Sequence, residues 1–147
     1  MEIKITRDTM SDIYFDALKI RNQVFVKEQG VPYELEVGNS VEEASSVHFV
    51  LYDDGKARGT VRLLADMNKH SALVQRMAVF AEDRHKGYAK SLFNELLLFS
   101  EKSYFTTLTL HAQLSARGFY AQFGFEEVGE IFEEAGIQHI GMEKKFN

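Results

Sequence analysis

The chain has no cysteine, no tryptophan and a single proline, Pro32, among its 147 residues. Without cysteine there is no disulfide, no thiolate metal site and no cysteine to carry a covalent acyl group. No run approaches ~18 consecutive apolar residues, so no membrane-spanning helix is expected. The opening segment MEIKITRDTMSDIYF lacks a basic stretch followed by an apolar run. That predicts no signal peptide and a cytoplasmic location. Positive charge is also scarce: 17 Lys and Arg stand against 22 Asp and Glu, for a net charge of −5. A nucleic-acid binder carries a basic domain or stripe, so none is expected here. The mononucleotide patterns G-x-G-x-x-G and G-x-x-x-x-G-K-[ST] are absent. The five histidines form no H-x-x-x-H pair, so no metal is predicted.

What is present is ordinary for one globular domain, with 45% hydrophobic and 27% charged residues. Glu2–Thr6 alternates and reads as a strand. Ile13, Ala17, Ile20 and Val24 recur at helical spacing, which predicts a helix over Ile13–Glu28 with Thr9, Ser11 or Asp12 as its cap and Gly30 as its stop. Val31–Ser45 is acidic and aperiodic. It reads as a loop with at most one helical turn, either facing a substrate or merely connecting. Val47–Tyr52 and Ala57–Ala65 are strands joined by the hairpin signal Asp53-Asp54-Gly55-Lys56. A third antiparallel strand, Ser71–Phe80, follows the turn Asp66–His70.

The stretch Leu73–Leu98 organises the rest. A strand runs through Glu82–Gly87 into a helix over Gly87–Lys102, with Tyr88, Ala89, Leu92, Phe93, Leu96, Leu97 and Phe99 on its buried side. The turn holds Arg84-His85-Lys86-Gly87-Tyr88-Ala89, an R-x-x-G-x-A pattern with Lys90 beyond it. The first amides of a helix lack partners within it and sit at the positive end of its dipole, which suits a phosphate. An ordinary strand-to-helix connection with a solvated basic turn reads the same residues equally well. A buried strand (Thr107–Ala112), a short helix (Ser115–Gln122) stopped by Gly124, and strands Glu126–Phe132 and Gln138–Lys144 complete the chain. The order β-α-βββ-α-β-α-ββ is that of an α+β sandwich around one mixed sheet of six to seven strands, with a right-handed parallel crossover across the central helix.

Three pieces in this order, LVQRMAV, RHKGYA and FYAQFGF, resemble the GCN5-related N-acetyltransferase (GNAT) superfamily. The flanks RNQVFVKEQGVP and EEAGIQHIGM resemble its ElaA-like (YjcF-like) branch, and that resemblance spans nearly the whole chain. The acidic cluster after Pro32 departs from that branch, reading Glu34-Leu35-Glu36-Val37-Gly38-Asn39. The resemblance implies acetyl-CoA as co-substrate and direct transfer of the acetyl group to an amine acceptor. Met77, Ala78 and Val79 would offer backbone groups to the pantetheine arm. Arg84, His85, Lys86, Gly87, Tyr88 and Ala89 would surround the pyrophosphate, with Ser115 and Phe119 on the adenine or pantetheine side. Tyr120 would protonate the departing thiolate; packing in the core or against coenzyme A is its alternative role. Glu28, His48 and His111 are the candidates for the base, beside a base working through water. His139 would line the acceptor site, or simply serve its strand.

The acidic residues Glu34, Glu36, Glu42 and Glu43 could attract a cationic amine or could be a solvated surface. Polyamine-like molecules, amino sugars and peptide amines all stay open as acceptors. Oligomeric state is also open, a homodimer being one option. A non-catalytic acyl-CoA-binding regulatory module is the alternative reading, and a purely structural interaction domain a third.

Overall fold

The computed structural model describes residues 1–146. Seven strands form one sheet: β1 (Glu2–Thr6), β2 (Val47–Asp53), β3 (Lys56–Asp66), β4 (Ser71–Val79), β5 (Thr107–Gln113), β6 (Glu126–Glu134) and β7 (Ile137–Lys145). Their spatial order is β1-β2-β3-β4-β5-β7-β6. Only β4 and β5 are parallel, and the helix α4 (Tyr88–Lys102) connects them. Every other neighbouring pair is antiparallel. The expected fold class and element order are those observed.

Period-two alternation sorts the side chains of β2 to two faces. Val47, Phe49 and Leu51 face α4 and join Leu92, Phe93 and Leu96 in the larger core. Val50 faces the other way, against Ala17, Ile20 and Val24. Burying side chains of this size contributes roughly 1.5–3 kcal/mol each. The fourth buried position of α4 is Ser100; Tyr88, Ala89, Leu97 and Phe99 are only half-buried. Gly59 on β3 lets α4 approach, because a Cβ there would stand 3.0 Å from Leu92 Cδ1 and 3.1 Å from the Ala78 carbonyl.

The first helix departs from expectation in its last two turns. Ser11 caps α1 (Asp12–Arg21), its Oγ accepting from the Tyr14 amide at 3.2 Å. From Asn22 to Glu28 the chain continues as a π-helix, and Gln29 N–H donates to the Val24 carbonyl. π-Turns inside helices often occur at functional sites. The segment after Pro32 is also more ordered than a loop. It forms two short helices, α2 (Tyr33–Val37) and α3 (Ser40–Ser45). Asn39 caps α3 by accepting from the Val41 and Glu42 amides.

What the sequence pattern missed is why these short helices stay in place. Arg21, Glu36, Glu43 and Arg62 are all buried. Arg21 Nε donates to Glu36 at 2.6 Å, and its Nη2 reaches Glu43. Arg62 Nη1 meets the other Glu43 oxygen at 3.1 Å. Ions in an apolar interior are tolerated when paired in this way. Glu36 and Glu43 are therefore neutralised inside the fold rather than displayed as an acidic field.

Candidate active site

Strands β4 and β5 pair only from Ser71↔Thr107 to Val74↔Leu110 and then separate. Beyond that point β5 stays paired to β7 through Gln113, whereas the β5-facing edge of Gln75–Val79 has no strand beside it. The gap widens into a cavity of about 920 Å³. A bulge adds to the separation. Two β4 residues, Arg76 and Met77, stand opposite Val61 alone, and Arg76 takes φ +57°. A left-handed arginine inside a strand is uncommon and locally strained. Its side chain reaches α2, donating to the carbonyls of Leu35 and Glu36 and lying 3.5 Å from the Glu36 carboxylate.

The free edge leads straight to the start of α4. Gly87 precedes that helix at φ +85° and supplies no side-chain cap. Its missing Cβ would meet nothing within 4 Å, so the space beside it is open. The amides of the first turn therefore face an open space at the positive end of the helix dipole. Met77, Ala78, Val79, Arg84, His85, Gly87, Tyr88 and Ala89 all line the cavity.

The charges are arranged differently from the sequence expectation. Arg84 is committed: Nη1 and Nη2 donate to Glu28 at 2.6 and 2.8 Å, and Nε donates to the Val79 carbonyl at 3.0 Å. Lys86 is not among the lining residues and lies 3.6 Å from Asp83. Tyr88 Oη donates to Asp53 at 2.6 Å. Lys90 also lines the cavity, so the attraction for an anion comes from backbone amides and from this lysine.

Opposite the loop, α5 (Arg117–Ala121) brings Phe119 and Tyr120 to the cavity, and Ser115 precedes them on its wall. Phe93 of α4 anchors this corner, with ring centroids 5.8 Å from Phe119, 5.4 Å from Tyr120 and 4.8 Å from Phe123. Burial alone pushes the Tyr120 hydroxyl up to about 12, so it keeps its proton across the physiological range.

The three base candidates separate. Glu28 is held in the Arg84 fork, whose hydrogen bonds keep its carboxyl below the usual range. His48 is buried away from the cavity, its Nε2 donating to the Glu43 carbonyl at 3.0 Å. Burial holds that imidazole below its ordinary value. Only His111 lines the cavity, 3.0 Å from Glu134. His139 lines it too. Sequence inspection missed Glu134 and Phe132 as their neighbours, since the β6–β7 register alone brings them together. No group of three metal-binding side chains stands together among the described residues.

A mixed sheet splayed between two parallel strands, with an uncapped helix start behind the gap, defines the acyl-CoA acyltransferase class of fold. The chain belongs to the GNAT family: the acetyltransferase (GNAT) domain model matches residues 12–146. It falls in the ElaA/YjcF-like branch. It is 33% identical over 130 residues to the uncharacterized N-acetyltransferase YjcF of Bacillus subtilis, covering 88% of this chain and 90% of that one. An acyl-CoA N-acyltransferase from Pseudomonas aeruginosa superposes with a TM-score of 0.85 at 26% identity, over 97% of this chain and 98% of the other. The Escherichia coli ElaA crystal structure shares the fold with a TM-score of 0.87 at 24% identity, over 99% and 100% of the two chains.

Proposed function

We propose that this chain is an acetyl-CoA-dependent N-acetyltransferase that passes the acetyl group directly to an amine in a ternary complex. One observation carries the reading. The unpaired edge of β4 runs into the uncapped start of α4, and the Tyr120 side chain lines the same cavity. An extended pantetheine arm would add to that edge as a strand adds to a sheet. Its diphosphate would meet the amides that follow Gly87. The absence of cysteine is consistent with direct attack by the amine rather than a cysteine-bound acyl intermediate.

The chemistry needs a donor for the departing thiolate, and Tyr120 supplies a neutral phenol in a desolvated position. The test combines calorimetry with acetyl-CoA and release of free thiol in the presence of primary amines. Expected are saturable binding and amine-dependent release. Tyr120→Phe should bind acetyl-CoA as the parent does and lose most turnover. Absence of binding at millimolar acetyl-CoA overturns the reading. Binding without transfer to any amine points to an acyl-CoA-binding module.

A further inference from the structure

We infer that His139 takes the proton from the acceptor amine, and that Glu134 passes it outward to solvent. This rests on the acetyl-transfer reading above and assigns the base within it.

The orientation of His139 follows from one contact. Its Nδ1 lies 2.7 Å from the Ile137 carbonyl. A carbonyl can only accept, so Nδ1 carries the hydrogen and the neutral ring has its lone pair on Nε2. Nε2 makes no hydrogen bond among the described residues and lies 3.9 Å from Glu134 Oε2. The other Glu134 oxygen accepts from His111 Nδ1 at 3.0 Å. The step from His139 to Glu134 runs from inside to outside: the His139 side chain is 9% exposed and that of Glu134 49%.

The sheet holds this arrangement. His139 pairs with Gln113 and His111 with Gly141, so both imidazoles lie on one face, and Gly141 places no side chain opposite His111. Phe132 stacks on the His139 ring at 5.9 Å and meets His111 edge-on at 5.2 Å. Arg76 from the β4 bulge and Glu36 from α2 line the same cavity. The Arg76 guanidinium is close enough to feel the charge of the Glu134 carboxylate.

Two protons leave the nitrogen. The ammonium gives its first to His139 Nε2, from which it passes to the half-exposed Glu134 carboxylate and so to solvent. The free amine attacks the acetyl carbon, the C–N bond forms and the C–S bond breaks. Tyr120 protonates the departing sulfur, and the second nitrogen proton replaces the one that Tyr120 gives up. The products are the amide, the coenzyme A thiol and one released proton.

The test has two arms. ¹⁵N NMR of the histidine side chains in the free protein should show neutral His139 as the Nδ1–H tautomer; the Nε2–H tautomer overturns the proposal. Acetyl transfer to spermidine, glucosamine and an Nα-blocked lysine is then measured against pH. His139→Asn keeps a donor for the Ile137 carbonyl and removes the base. It should lower kcat by about 100-fold or more, leave the KM for acetyl-CoA within about 2-fold, and abolish the acid limb of the pH profile. A variant within about 3-fold of the parent kcat, or with that limb intact, overturns the assignment and leaves acetyl transfer standing. A parent protein that transfers to none of the three amines counts against both.

Discussion

Arg84 and Glu28 meet in a two-point fork, Nη1–Oε2 at 2.6 Å and Nη2–Oε1 at 2.8 Å, that joins the end of the π-helical segment to the turn beyond β4. The fork ties one wall of the cavity to another. It also commits a guanidinium and a carboxylate that would each look available in the sequence.

Glu28→Gln should therefore leave the pH dependence of turnover unchanged, with kcat within about 3-fold of the parent. Arg84→Ala should raise the KM for acetyl-CoA by loosening the loop. Both side chains are about one-third exposed. A double-mutant cycle on stability should accordingly give a coupling of about 0.5–1 kcal/mol, at the upper end for exposed pairs because the geometry is bidentate. A Glu28→Gln protein that loses its acid limb would return Glu28 to the role of base.

Arg21→Met should destabilise the fold by about 3–5 kcal/mol, read as a lower urea midpoint, because it strands two buried carboxylates. Glu36 and Glu43 both depend on this guanidinium. Far smaller loss would mean that Arg62 and Arg76 suffice to hold α2 and α3.

Stability should fall in two stages on acidification. Burial holds His48 below its ordinary 6.5 in the folded state. The unfolded chain then binds the extra proton as pH drops through about 6.5, and the folded state loses ground. Glu43 follows. Burial opposes its ionisation, yet the Arg21 hydrogen bond and the charges of Arg21, Arg62 and His48 override this and hold its carboxyl below the ordinary 4.5. Its contribution is present above about 4.5 and disappears as pH falls through the depressed folded value. Melting temperatures between pH 7 and 3 check this. His48→Gln should flatten the upper stage and shrink the lower only in part, because Arg21 and Arg62 still hold Glu43.

Gly59→Ala should cost about 1–3 kcal/mol, since the added methyl meets the Ala78 carbonyl at 3.1 Å and two packed side chains at 3.0 Å. Because the same contact sets how α4 rests on the sheet, acetyl-CoA affinity should fall with it. Thermal denaturation with and without acetyl-CoA separates the two effects.

The local rules revealed the strands, the long helix after Gly87 and the order of elements. The apolar run VHFVLY, the Asp54–Gly55 turn and the spacing Ala17, Ile20, Val24 are short-range signals that each segment carries on its own. The short helices after Pro32 escaped because their one local side-chain signal, the Asn39 cap, does not hold α2 in place. Arg21 and Arg76 do so from 15 and 40 residues away.

The sequence by itself determined a mixed α+β domain with a phosphate-suited turn and an aromatic corner around Tyr120, because hydrophobic period and turn chemistry act over a few residues. Only the tertiary structure decided which charges are spent in pairs and which histidines line the cavity. Those outcomes depend on distances between strands and helices far apart in the chain, and on a β6–β7 register that sets Phe132 against His139.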